Sequence, residues 1–235
     1  GRGLAFFFTR MLDLGLSGAF PDVEFVVPRS VVIGTDVFEE FVEDNELGVF
    51  AHEDHSNEEV NQAFLEAEFT DEIVRKISVM LQHTKWPLAI RSSSLLEDSS
   101  HQPFAGVYAT YMLANDHPDL EVRLRRLLEA IKLVYASTYY RGAKAYVAAT
   151  PSTIEDERMA VVIQDLVGDE INGRFYPMIS GAARSHNHYP VEPLIAEDGI
   201  AAICIGLGRQ VSAGGKCLRY SPGQPRRIHQ FHSNQ

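Results

Sequence analysis

Apolar side chains recur at three- and four-residue intervals through the first part of this chain and gather into short runs in the second. A period near 3.6 gives helices with one buried stripe, and short runs bounded by turn residues give strands. Leu4, Phe7, Phe8, Met11 and Leu12 share one helical face, closed by Gly15 and Gly18. Asp36 with Glu39, and Ser56 with Glu59, read as capping-box helix starts. The first precedes Phe38, Phe41 and Val42, the second Val60, Phe64 and Leu65. Thr70 opens a helix carrying Ile73, Ile77, Met80 and Leu81. The longest periodic stretch holds Leu120, Leu124, Leu127, Leu128, Ile131, Val134 and Tyr135, and is expected to reach Tyr140 with a break or bend at Gly142. Strands are expected at Val23–Val27, Ser30–Ile33, from Pro87 to Arg91, and at Val107–Leu113, Met159–Ile163, Arg174–Ser180 and Ile200–Ile205. Ser221 to Gln235 lacks apolar periodicity and reads as a loop or tail. Helices first and strands second predict an α+β fold with two lobes, at residues 1–156 and 157–235.

A chain of 235 residues, 45% apolar and 23% charged, has the composition of an ordinary globular protein with a sizeable core. Its formal net charge of −11 argues against nucleic acid or an anionic membrane as a partner. An anionic ligand would need local positive potential, which Arg91 and the basic residues Arg209, Lys216, Arg219, Arg226 and Arg227 can supply. Cys204 and Cys217 lack metal-ligand spacing, so reduced thiols in a cytoplasmic protein are the expectation. No apolar run has the length of a membrane span, and no signal-peptide pattern opens the sequence.

The segment richest in chemistry begins at Arg91, which closes the apolar run Leu88-Ala89-Ile90 and opens into Ser92, Ser93 and Ser94. A guanidinium fork matches phosphate oxygens, and small hydroxyl residues let backbone N–H groups approach an anion. The same residues also fit a strand end whose serines cap local backbone, with Arg91 in a surface ion pair. Phe104-Ala105-Gly106 ends the loop, and Gly106 permits a tight turn or close approach to a ligand. Further on, Met159–Ile163 runs into Gln164, Asp165, Leu166 and Val167, an apolar strand leaving through polar residues. Such an exit can offer a flat base both apolar contact and backbone donors and acceptors, and it equally fits an ordinary strand with a polar end. Gly206-Leu207-Gly208 can bring backbone near phosphates, although a glycine pair alone is a weak signal. His52 with His55, His186 with His188, and His229 with His232 lack a third ligand at metal spacing. The acidic run Glu39, Glu40, Glu43, Asp44 and Glu46 reads as a solvated helix face, so no metal ligand is assigned within the chain.

The stretch LAIRSSSLLEDSSHQPFAGVYATYML at residues 88–113 resembles the arginine loop of the phosphoenolpyruvate synthase and pyruvate phosphate dikinase family. Other stretches resemble that family in the same order: RGLAF at Arg2–Phe6, VPRSVVIGTDVFEEF at Val27–Phe41, MAVVIQDLVG at Met159–Gly168, FYPMISGAARSHNHYP, and GLGRQVSAGGKCLRYSP at Gly206–Pro222. The resemblance runs from Gly1 to about Gln230. It implies an ATP-grasp-like nucleotide-binding domain of a larger phosphotransferase. ATP would be held by Arg91, Ser92, Ser93, Phe104, Ala105, Gly106, Gln164, Asp165, Val167, Gly206 and Gly208. The implied partners are a swivelling domain with a phosphorylatable histidine and a barrel that binds pyruvate. Other acceptors, a glucan or an antibiotic hydroxyl, and a non-catalytic nucleotide-sensing or assembly module stay open alternatives.

The sequence departs from the family where Arg209 follows Gly-Leu-Gly in place of the usual glutamate, and where Arg184 replaces an aromatic in Gly181-Ala182-Ala183-Arg184-Ser185. The family's phosphate-binding lysine would fall one residue before Gly1. Its acidic Mg²⁺-binding strand and Gln-x-Arg segment find no counterpart before Gln235. The expectation is therefore a fragment that relies on residues outside it for Mg²⁺ and is inactive in phosphoryl transfer by itself.

Overall fold

The computed structural model describes residues 2–94, 107–148, 157–212 and 215–228. The chain forms two units, Gly1–Leu166 and Val167–Gln235.

The first unit opens with α1 (Arg2–Asp13) and the short α2 (Leu16–Ala19), followed by β1 (Ser30–Ile33). Phe7 and Phe8, on the shared apolar face of α1, are 58% and 50% exposed. Val23–Val27 joins no ladder, because pairing starts only beyond Pro28, a residue without an N–H to donate. Then come α3 (Thr35–Asp44), α4 (Leu47–His52), α5 (Asn57–Glu66) and α6 (Asp71–Gln82). The residue capping α3 is Gly34, two residues earlier than a cap at Asp36 would require. Asp36 instead sits in the first turn, where its carboxylate faces the positive end of the helix dipole, and Glu39 pairs with Arg158. At α5 the capping box forms as the sequence predicts: Ser56 Oγ accepts from Glu59 N–H at 3.2 Å, and Glu59 accepts from Ser56 N–H at 2.8 Å.

β2 (Leu88–Ser94) and β3 (Thr110–Leu113) precede α7 (Leu120–Ser137), α8 (Arg141–Ala148) and β4 (Met159–Asp165). Helix α7 stops at Ser137, whose hydroxyl donates to Val134 C=O and accepts from Ala109 N–H. Gly142, expected as the break or bend, lies inside α8. The four strands form an antiparallel sheet in the order β1-β4-β2-β3. One face packs against the helices. Leu88, Ile90, Val161, Ile163 and Met159 from the sheet meet Phe38, Phe41, Val60, Phe64, Leu81, Leu127, Ile131 and Tyr135. Each such side chain fully removed from water contributes about 1.5–3 kcal/mol. The sequence expectation placed Met159–Ile163 at the start of the second lobe. It belongs instead to the middle of the first unit's sheet, because β4 is hydrogen-bonded on both edges, to β1 and to β2.

The second unit contains the hairpin β5 (Asp169–Ile171) and β6 (Arg174–Tyr176), then β7 (Ile179–Arg184), β8 (Ile200–Ile205), α9 (Arg209–Ser212), β9 (Leu218–Ser221) and β10 (Gln224–Ile228). The single strand expected at Arg174–Ser180 is split around Pro177 into β6 and β7. The last four strands form an antiparallel sheet in the order β10-β9-β8-β7. Part of the expected tail is therefore strand β10, paired to β9.

Candidate functional site

β2 continues through Arg91 and all three serines, so the arginine stands in mid-strand and not at a strand end. Side chains alternate across a strand. Leu88, Ile90, Ser92 and Ser94 thus point to the helix-covered face, and Ala89, Arg91 and Ser93 to the other. Of the serines, only Ser93 shares a face with Arg91. Ser92 is half-buried and Ser94 buried.

Register assembles the rest of that second face. Gln164 lies opposite Ala89 on one side of β4 and opposite Ser30 on the other. Val162 lies opposite both Arg91 and Val32, and Thr110 and Met112 of β3 lie opposite Arg91 and Ala89. Arg91 reaches diagonally so that its Nη1 donates to Gln164 Oε1 at 3.4 Å. Gln164 Nε2 donates in turn to Ser30 Oγ at 3.2 Å, and Ser30 Oγ donates to Pro28 C=O at 3.1 Å. A polar row, Arg91–Gln164–Ser30, therefore crosses three strands. Gln164 is buried at 9% exposure, and Ser30 fixes which way its amide points. Ser30 was not among the residues singled out in the sequence, where a serine between Pro28 and Val31 carries no distinguishing signal.

The 3.4 Å bond is long, and a guanidinium has five N–H donors, so this bond engages only a small part of the Arg91 fork. Among the described residues Arg91 is exposed and makes no ion pair. Beside it, Ala89 and Val162 form a buried apolar floor flanked by the exposed Val32 and Met112. Such a surface can hold an anion at the arginine and a flat apolar group next to it.

The chain leaves this sheet through a firmly held segment. Asp165 N–H donates to Arg29 C=O, and its carboxylate takes Arg29 Nε at 2.7 Å. Leu166 N–H donates to Pro87 C=O at 2.9 Å, and Leu166 C=O accepts from Trp86 Nε1 at 2.6 Å. The Asp165 amide is thus occupied, and it is Val167, 63% exposed, that leaves the ladder. Buried Arg123 braces the turn before β2 by donating to Leu81 and Thr84 C=O, while Asn115 bonds Thr84 and Trp86 C=O.

Gly206 and Gly208 lie in the second unit just past β8, at φ 85° and 78°. Ser180 Oγ donates to Gly206 C=O, and a Cβ on Gly208 would come within 2.8 Å of Ser180 Cβ. Turn geometry and close packing account for these glycines without a ligand. Phe104, Ala105 and Gly106 lie outside the described residues. Among the described residues no three His, Cys, Asp or Glu side chains converge as a metal site, and no helix is long and apolar enough to cross a membrane. His55 stacks on Phe50, and His186 packs edge-on against His188.

The family model for the pyruvate phosphate dikinase AMP/ATP-binding domain matches residues 13–227, nearly the whole chain. The chain belongs to this family. Over 150 residues, 63% of its length, this dikinase-domain chain is also 27% identical to the uncharacterized phosphotransferase YvkC of Bacillus subtilis (strain 168). The shared stretch makes up 16% of that protein, so the chain spans a small part of the relative it matches. Membership places Arg91 and Gln164, which touch across two strands, inside a domain whose family binds AMP and ATP.

Proposed function

We propose that this is the ATP-grasp-like nucleotide-binding domain of a larger ATP-dependent phosphotransferase, with the exposed sheet face of the first unit as part of its nucleotide site. Arg91 binds an α- or β-phosphate oxygen. Gln164, held by Ser30, orients the Arg91 fork. The exit from β4 serves the adenine, Val167 offering backbone to the base edge. Ser93 adds a hydroxyl on the same strand face as Arg91. The observation that supports this most is the Arg91–Gln164 hydrogen bond, which joins two residues far apart in sequence that the family resemblance implies at the nucleotide.

In this reading Mg²⁺ and the acceptor are supplied by residues outside this chain. The phosphoryl group passes to a histidine on a swivelling domain and then to pyruvate, and a glucan or antibiotic hydroxyl would use the same first step. The domain contributes positioning and charge shielding, on which phosphoryl transfer depends almost wholly. The test is to incubate the full-length protein with Mg²⁺ and ATP labelled in its β- and γ-phosphates. An acid-labile, base-stable phosphoprotein is expected. Tight ATP binding with no protein-bound label would overturn the histidine relay and favour a sensing module, the class that Arg184 and Arg209 keep in view.

A further inference from the structure

The two cysteines bracket residues 205–216, and nothing in that spacing marks them as a pair. The sheet does. Strands β8 and β9 pair as Ala201↔Tyr220, Ala202↔Arg219 and Ile203↔Leu218. One more step along this register sets Cys204 opposite Cys217, the residue that leads into β9.

The other edge of β8 tells which kind of antiparallel pair this is. Gly206 N–H donates to Met178 C=O at 3.1 Å, one residue beyond a ladder in which Cys204 faces Ser180. Backbone groups alternate sides along a strand, so Cys204, two residues before Gly206, also turns its N–H and C=O toward β7. Toward β9 it stands in a non-hydrogen-bonded pair. In that class the Cα atoms lie about 4.5 Å apart and the side chains are at their closest. A disulfide accepts Cα separations of about 4.4–6.8 Å, so this register is compatible with one. Both residues are half-buried thiols, and both line a cavity of about 630 Å³ shared with Gln210, Lys216, Ile203 and Leu218. A small oxidant therefore has room to reach them.

We propose that Cys204 and Cys217 are a redox-modification site, a cross-strand dithiol that closes to an intramolecular disulfide by exchange with a low-molecular-weight disulfide. One cysteine thiolate attacks a sulfur of the oxidant, whose S–S bond breaks. Half of the oxidant leaves as a thiolate and half stays on the protein as a mixed disulfide. The second cysteine thiolate attacks the protein sulfur, the Cys204–Cys217 bond forms, and the second half leaves. The two thiol protons end on the two released thiols, and the oxidant is reduced by the two electrons the cysteines lose. The new bond ties the end of β8 to the entry of β9 and closes residues 205–216, with Gly206-Leu207-Gly208 and Lys216, into a covalent loop. This proposal does not depend on nucleotide binding.

The test is to equilibrate the full-length protein in glutathione buffers of graded oxidised-to-reduced ratio, quench with acid, alkylate, and digest with trypsin without reduction. The tryptic peptides Ser185–Arg209 and Cys217–Arg219 should be recovered joined, lighter by two hydrogens than the separate pair. Both thiols should disappear in one shared transition. In Cys217→Ser, Cys204 should carry a single glutathione adduct instead. Wild-type protein that shows separate adducts on the two cysteines, links between molecules, or no change at any ratio overturns the proposal.

Discussion

The two units reach order by different means. In the first, one continuous apolar cluster runs from Ile33 to Ile163 and fills the space between the sheet and its helices. In the second, the buried apolar side chains among the described residues are Leu194 and Ala201. Polar bonds converge there on Asp198 instead. Its carboxylate accepts from Ile195 N–H at 3.0 Å and from Gln224 Nε2 at 3.2 Å. Its backbone C=O accepts from Ser221 Oγ at 3.0 Å and Gly223 N–H at 2.9 Å. A large apolar core leaves the opposite sheet face free to carry a polar row such as Arg91–Gln164–Ser30. A small sheet held by turn bonds ties its stability to a few polar atoms.

The contrast can be broken most sharply in the first unit. Phe64 is fully buried and packs against Phe41 and Tyr139, so Phe64→Ala should cost about 3–5 kcal/mol. Denaturant unfolding measures that loss, and hydrogen exchange should accelerate in β2 and β4. A loss below about 1 kcal/mol, the range of near-neutral changes, would mean the aromatic cluster is not what holds this unit. The next largest effect belongs to the hub. Asp198→Ala removes two side-chain bonds and should cost about 1–3 kcal/mol, read as faster exchange in β9 and β10. Unchanged exchange there would show that strand pairing alone maintains the unit.

The smallest effect sharpens the account of the helical layer. Ser56→Ala opens the capping box and should cost about 1 kcal/mol. The bonds from Ser56 hold the Glu59 carboxyl below its ordinary value of 4.5. A depressed folded value means the Glu59 contribution is present above pH 4.5 and is lost as pH falls through the folded value. Glu59→Gln, which removes the titrating group, should therefore flatten the acid limb of the stability profile. An acid limb identical to wild type would leave Glu59 without a part in it.

The same contrast explains what the sequence could reveal. Helices α5 and α6 and strand β8 were legible because capping signals, apolar period and bounding glycine act locally. The exposed face of the first sheet was legible only in part. Arg91 and Gln164 stood out, but three successive serines hide a two-residue alternation, so the strand seemed to end where it continues. Ser30 acquires its role only through the β1–β4 register, a pairing across most of the unit. The cysteine pair is similar, since their spacing says nothing until β8 and β9 are aligned. In the second unit few apolar residues are buried, so hydrophobic patterning carries little information. The tail rich in proline and arginine could form β10 because its partner strand, and not its own composition, supplies the order.

The central claim is that the exposed face of the first unit's sheet holds nucleotide phosphate through Arg91. Titration calorimetry of ATP into the full-length protein and its Arg91→Ala and Arg91→Lys variants tests it most directly. Arg91→Ala should weaken binding by about 1.5–3 kcal/mol, the worth of a charge-assisted bond. That corresponds to roughly a 10- to 150-fold rise in Kd. Arg91→Lys should recover only part of the loss, because a point charge cannot reproduce the fork. Equal affinity for wild type and Arg91→Ala, with the variant folded as judged by its unfolding midpoint, would contradict the account and move the phosphate site elsewhere.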